Sequence, residues 1–153
     1  MSQSELEKKD TESLARRCVA VCEERKAAEI LLFDVRENSI LADFYVVCCG
    51  TSMPHIRAIG ENIRKAMLEE GLRPRGQDGL PGSRWMILDY SSILVHILDP
   101  EMRNFYNLEE LWDNRKILYR GGTPLLRQEP NRTQNVKPSY LMMDQDQSED
   151  QDQ

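Results

Sequence analysis

The sequence predicts an α/β fold: a mixed β-sheet of four to five strands with helices packed on it. Three observations lead there. Apolar residues recur at three- and four-residue spacing at Leu14, Cys18, Val21 and Cys22, and again at Ile56, Ile59, Ile63 and Met67, the period of a helix with one buried face. Short β-branched and aromatic runs lie around Leu31, Val46, Ile87 and Val95, each bounded by turn residues. The resulting order, αββαββα, suits one domain, because a chain of 153 residues can bury about two-thirds of its unfolded surface without a disulfide or metal.

The first helix is expected to begin at Asp10 or Thr11, either of which can cap it. Ile30 to Val35 then reads as a strand, Arg36 to Ser39 as a turn, and Asp43 to Cys49 as a second strand ended by Gly50. Thr51 or Ser52 caps the next helix, which tolerates Pro54 in its first turn and stops at Gly71. Residues 71–83 carry four glycines and two prolines and read as a loop. Arg84 to Tyr90 and Ile93 to Leu98 are joined only by Ser91-Ser92, so an antiparallel hairpin is the simplest connection. Asp99 caps a short helix with Pro100 at its first position, and Asn107 can cap a last turn running to Trp112.

Composition changes after Asp113. Residues 114–143 hold six bases and one acid, and DQDQSEDQDQ at the end holds five acids and no base. Such sequence has too few apolar residues to offset its ordering entropy. The expected organisation is a flexible N-terminus over 1–9, a folded domain over 10–113 and a disordered polyampholyte tail over 114–153. The two halves of the tail cancel in charge, so the net −6 belongs to residues 1–113, with 14 bases against 20 acids. An acidic body is repelled by nucleic acid and steered toward basic protein. Residues 1–10 are too polar for a secretory signal, and no run approaches the ~18 apolar residues of a membrane span; a cytoplasmic protein is expected.

The chemistry of catalysis is thinly represented. Cys18, Cys22, Cys48 and Cys49 form no CxxC pair, and the two histidines, His55 and His96, are not spaced as metal ligands. The cysteines read as small buried hydrophobes, and no metal or cofactor is expected. Gly50-Thr51-Ser52 stands where a strand meets a helix, and backbone N–H groups there can hold phosphate. A nucleotidyltransferase-type enzyme using this turn is the alternative function, but it needs two metal-binding carboxylates close behind. Between Met53 and Met67 the only acid is Glu61, which favours simple capping. Asp34, Asp43 and Asp89 are strand or strand-end carboxylates that could serve acid/base work only if they converged; Asp43 and Asp89 equally suit capping loop N–H groups or pairing with Arg57 or Arg103, the commoner outcome. His96 alternates with Leu94 and Leu98, opposite Ile93, Val95 and Ile97; with no nucleophile in a triad context it reads as a hydrogen-bonded sheet residue. Large side chains concentrate in the second hairpin, where Trp85 and Tyr90 suit a core or an interface equally.

From Thr11 to Trp112 the chain resembles the ribosomal silencing factors, the Iojap-like proteins. The resemblance rests on Asp34-Val35 and Ser39, Asp43 to Val47, Gly50-Thr51-Ser52, Trp85 to Tyr90, Val95-His96-Ile97, and Arg103 to Trp112 with its LEELW ending. It implies a fold related to nucleotidyltransferases without their catalytic carboxylates, and no enzyme activity. It also implies binding to the large ribosomal subunit through its ribosomal protein fourteen, with little direct rRNA contact and no membrane. The bound factor sterically blocks joining of the small subunit, represses translation under nutrient limitation, and in related proteins aids large-subunit maturation. The partner-binding residues it implies are Trp85, Tyr90, His96 and Leu98. Such an exposed patch predicts a homodimer when the protein is free. The sequence departs from the family's pattern at Ser91-Ser92, usually Gly-Asp, and at Leu98, commonly aromatic or Met; serine adopts positive φ less readily than glycine.

Overall fold

The computed structural model describes residues 3–37, 42–78, 84–106 and 116–125. Among these, three helices and six strands follow in the order α1 (Gln3–Glu24), β1 (Ala28–Asp34), β2 (Phe44–Cys49), α2 (Met53–Glu69), β3 (Gly76–Asp78), β4 (Trp85–Asp89), β5 (Ile93–Leu98), α3 (Pro100–Tyr106) and β6 (Ile117–Gly121). The strands form one sheet in the order β3-β4-β5-β2-β1-β6. It is mixed, as expected: β2 and β5 run parallel, and the other neighbours antiparallel.

Both long helices lie on one face, α1 against β1 and β2, α2 against β4 and β5. Cys18 and Cys22 of α1 and Ile56, Ile59, Ile63 and Met67 of α2 meet Ile30, Leu32, Phe44, Val46, Leu88, Val95 and Ile97 there. Burying each such side chain is worth roughly 1.5–3 kcal/mol, so this layer supplies most of the driving force for folding. All six residues of β2 are buried, which is why its sequence is a continuous apolar run rather than an alternation. The opposite face carries a second cluster of Leu31, Phe33, Val35, Tyr45, Val47, Trp85 and Leu98. α3 approaches this cluster through Met102. Arg103 is buried and donates to the Glu29 carbonyl and to Cys49 Sγ at 3.6 Å. A break in register between Ala28 and Leu31, with Glu29 at φ 48°, accompanies that carbonyl contact.

Three expectations are corrected. α1 begins at Gln3 rather than at Asp10 or Thr11, because residues 3–12 contain no glycine or proline and are rich in Glu and Lys, which propagate a helix readily. The sheet has six strands rather than four or five; β3 interrupts the glycine-rich loop, and β6 lies beyond the expected domain end at Asp113. Arg115, Lys116 and Arg120 give this stretch its basic character, yet it carries specific anchors. Ile117 joins the second cluster, Tyr119 packs on the first core and donates to a Glu23 carboxylate oxygen, and Lys116 pairs with Glu37 at 2.6 Å. Composition averages such contacts away. The Asn107–Trp112 turn, the residue Ser39 and residues 126–153 of the expected tail lie outside the described residues.

The candidate interaction face

The β4–β5 hairpin sets the geometry of the site. Its register places Trp85 opposite Leu98, Ile87 opposite His96 and Asp89 opposite Leu94, and the parallel pairing with β2 adds Cys49, Val47 and Tyr45 beside Leu98, His96 and Leu94. Side chains alternate across a sheet, so Trp85, Ile87, Leu94, His96 and Leu98 share the face away from the long helices. Met86, Leu88, Ile93, Val95 and Ile97 face α1 and α2. The alternation expected for β5 is therefore the one observed.

Trp85, His96 and Leu98 are brought together, as expected, but they lie beneath the surface: Trp85 is 7% exposed, His96 9% and Leu98 0%. The indole Nε1–H of Trp85 donates to His96 Nδ1 at 3.3 Å, which assigns the neutral ring's proton to Nε2. The imidazole also lies edge-on to Tyr45, with ring centroids 6.0 Å apart. Burial disfavours the imidazolium and lowers the His96 pKa to about 4. His96 is thus a neutral, hydrogen-bonded member of the sheet at physiological pH.

Tyr90 is corrected. It lies in the first core, on the opposite face from Trp85, because positions 85 and 90 differ by an odd number. Its hydroxyl is buried without a hydrogen-bond partner among the described residues, and burial pushes the phenol up to about 12. Among the described residues, the apolar side chains of β4 and β5 on this face that remain partly accessible are Ile87 and Leu94. Neither is among the partner-binding residues the resemblance implies, although Leu94 precedes His96 by two positions on β5 and Ile87 pairs with it across the hairpin.

The hairpin tip is tightly held. Ser91 adopts φ 73°, a conformation that costs an L-residue roughly 1–2 kcal/mol. The Ser92 N–H donates to the Tyr90 carbonyl at 2.8 Å, and the Tyr90 N–H to the Ile93 carbonyl at 2.9 Å. Asp89 accepts the Ser91 N–H at 2.8 Å and pairs with Arg75 at 3.2 Å, a different partner from the expected Arg57 or Arg103. The Ser92 carbonyl in turn accepts from Asp43 and Phe44 N–H groups, which ties the tip to β2.

The Gly50-Thr51-Ser52 turn is committed to capping. Ser52 has extended geometry, φ −154° and ψ 166°, and its Oγ accepts the His55 N–H at 3.2 Å. The Thr51 N–H donates to His55 Nδ1 at 2.9 Å, and the opposite ring nitrogen meets the Arg25 carbonyl at 2.7 Å. A Cβ on Gly50 would fall 2.7 Å from Ile56 Cγ1 and 2.9 Å from its backbone nitrogen, so glycine here lets α2 close onto the strand end. Among the described residues no three His, Cys, Asp or Glu side chains group to hold a metal, and no helix is long and apolar enough to cross a membrane. All four cysteines are free and buried, as expected.

A six-stranded mixed sheet with its long helices on one face, and a partly covered apolar strip on the other, defines a two-layer α/β domain. The family described as ribosomal silencing factor during starvation matches residues 8–152, and the chain belongs to that family. The match runs well past Asp113, the expected end of the shared domain, and includes β6. Among curated relatives, the ribosomal silencing factor of Bacillus subtilis is 31% identical over 105 residues, covering 69% of this chain and 89% of its own. The chloroplastic Iojap protein of Arabidopsis thaliana is 31% identical over 107 residues, covering 69% and 44%. A crystal structure of a Bacillus halodurans protein superposes with a TM-score of 0.62 at 26% identity, over 71% of this chain and 98% of that one.

Proposed function

We propose that this chain silences translation by docking the outer face of β4 and β5 on ribosomal protein fourteen of the large subunit, where its bulk keeps the small subunit from joining. The family match over residues 8–152 carries this reading. Two features of the chain support it. Ile87 and Leu94 form a partly exposed apolar strip over the Trp85–His96 pair, the kind of centre on which interface energy concentrates. The net −6 favours a basic protein over rRNA as landing site. Blocking needs only occupancy, and an interface of about 1,600 Å² in total is enough for stable binding. In this arrangement Trp85, His96 and Leu98 support the contact from below, and Tyr90 sets the hairpin from the helix side. The same strip would pair two copies when no subunit is available.

The test uses the accessible residues. Trp85→Ala would open a cavity worth roughly 3–5 kcal/mol, and Tyr90→Glu would bury a charge, so both confound binding with folding. Ile87→Glu and Leu94→Glu alter the strip itself. Each is expected to abolish co-sedimentation with purified large subunits and pull-down of isolated ribosomal protein fourteen, while circular dichroism and the urea midpoint stay near those of the unaltered chain. Undiminished binding by both variants overturns the docking face. Light scattering that shows no concentration-dependent growth overturns the self-pairing.

A further inference from the structure

A second surface lies on the far side of the molecule, along the outer edge of α2. A cleft of about 700 Å³ is lined there by Arg64, Lys65, Leu68, Leu72, Arg73 and Pro74, together with Glu61 and Asn62. Leu68 is 50% exposed, one of the two large apolar side chains most exposed among the described residues. Arg64 is neutralised by Glu61 at 3.3 Å, but Lys65 and Arg73 form no ion pair among the described residues. The cleft therefore offers an apolar floor beside two uncompensated cations, and its natural complement is a short apolar segment followed by acids.

The chain itself contains that pattern. Tyr140, Leu141, Met142 and Met143 are an apolar run within the polar C-terminal segment, and Asp144, Asp146, Glu149, Asp150 and Asp152 follow directly. We propose that residues 140–152 dock in cis into the α2 cleft, with the apolar run over Leu68 and Leu72 and the acids beside Lys65 and Arg73. The reach is sufficient. Tyr140 lies fifteen positions beyond Leu125, whose N–H is held by Glu29 at 3.3 Å, and an extended chain of fifteen steps spans about 50 Å, more than the roughly 30–35 Å diameter of a domain this size. Tethering raises the effective concentration of the segment to the millimolar range, so a weak site suffices. The contact leaves the β4–β5 face uncovered, and it gives the acidic run a resting place from which a strongly basic surface could draw it.

The proposal is tested on the full chain carrying Gln145→Cys with a nitroxide attached. The four native cysteines are buried, and burial raises the Cys18 pKa to about 12 and the Cys49 pKa to about 11, so the introduced thiol is the one that reacts. Amide signals of Leu68, Leu72 and Arg73 are expected to lose intensity relative to the reduced label. They are expected to recover in about 1 M salt, where the Debye length falls to about 3 Å, and in the exposed-surface variant Lys65→Glu/Arg73→Glu. No loss of signal at these amides overturns the proposal, as does a loss that persists in the charge-reversed variant. A mixture of isotope-labelled, unmodified chain with unlabelled, nitroxide-bearing chain separates the remaining occupant: loss of signal there places the segment on a second copy and overturns docking in cis.

Discussion

Acidification offers a direct measure of the environment around His96. The imidazole titrates near 6.5 in the unfolded chain and near 4 when buried between Trp85 and Tyr45. Above pH 6.5 both states are neutral at this site and it makes no pH-dependent contribution. Below 6.5 the unfolded state takes up a proton that the folded state refuses, so stability falls with pH until the folded pKa is reached. Integrated from pH 7.5 to pH 4.5, the loss is about 2.5 kcal/mol, approaching about 3 kcal/mol at lower pH, a substantial share of the 5–15 kcal/mol typical of a domain. The assay is urea unfolding followed by far-ultraviolet circular dichroism at half-unit pH intervals. His96→Gln is the reference, because its side-chain oxygen can still accept from the Trp85 indole but does not titrate. The unaltered chain should lose about 2.5 kcal/mol more than His96→Gln over this window. Equal losses in the two proteins, or a His96 resonance that titrates above pH 5.5 in the folded state, would refute the burial argument.

Two further outcomes follow from single side chains. Ser91→Gly relieves the positive φ at the hairpin tip and should raise the urea midpoint by an amount equivalent to about 0.5–1 kcal/mol, the gain being smaller than the full strain because glycine also loses more freedom on folding; an unchanged or lowered midpoint contradicts strain at that position. Tyr90→Phe removes a buried hydroxyl that has no partner among the described residues and should stabilise the fold by about 1 kcal/mol, whereas a loss of stability in thermal unfolding would reveal that the hydroxyl is satisfied.

Much of the architecture is legible in residue order because it depends on local periodicity. The helical spacing from Ile56 to Met67, the Ser52 cap and the alternation of β5 all appear as read. The same alternation puts Trp85 and Tyr90 on opposite faces and Ile87 and Leu94 on the face of His96. β6 was not legible. It is held by contacts to Phe33, Glu23 and Glu37, some eighty to a hundred residues away in sequence, and the three-residue apolar run Ile117-Leu118-Tyr119, set among Arg115, Lys116 and Arg120, gives no sign of partners at that distance.

The sequence by itself determined the family, the mixed α/β class, the capping role of the Gly50–Ser52 turn and the acidic character of the body, all of which are written in short patterns or in sums over residues. Only the tertiary structure decided which sheet face receives the long helices, that Trp85, His96 and Leu98 are buried rather than exposed, and that the sheet extends through β6. A two-residue period marks two faces as different but cannot say which is covered, because covering depends on the packing of elements distant in the chain.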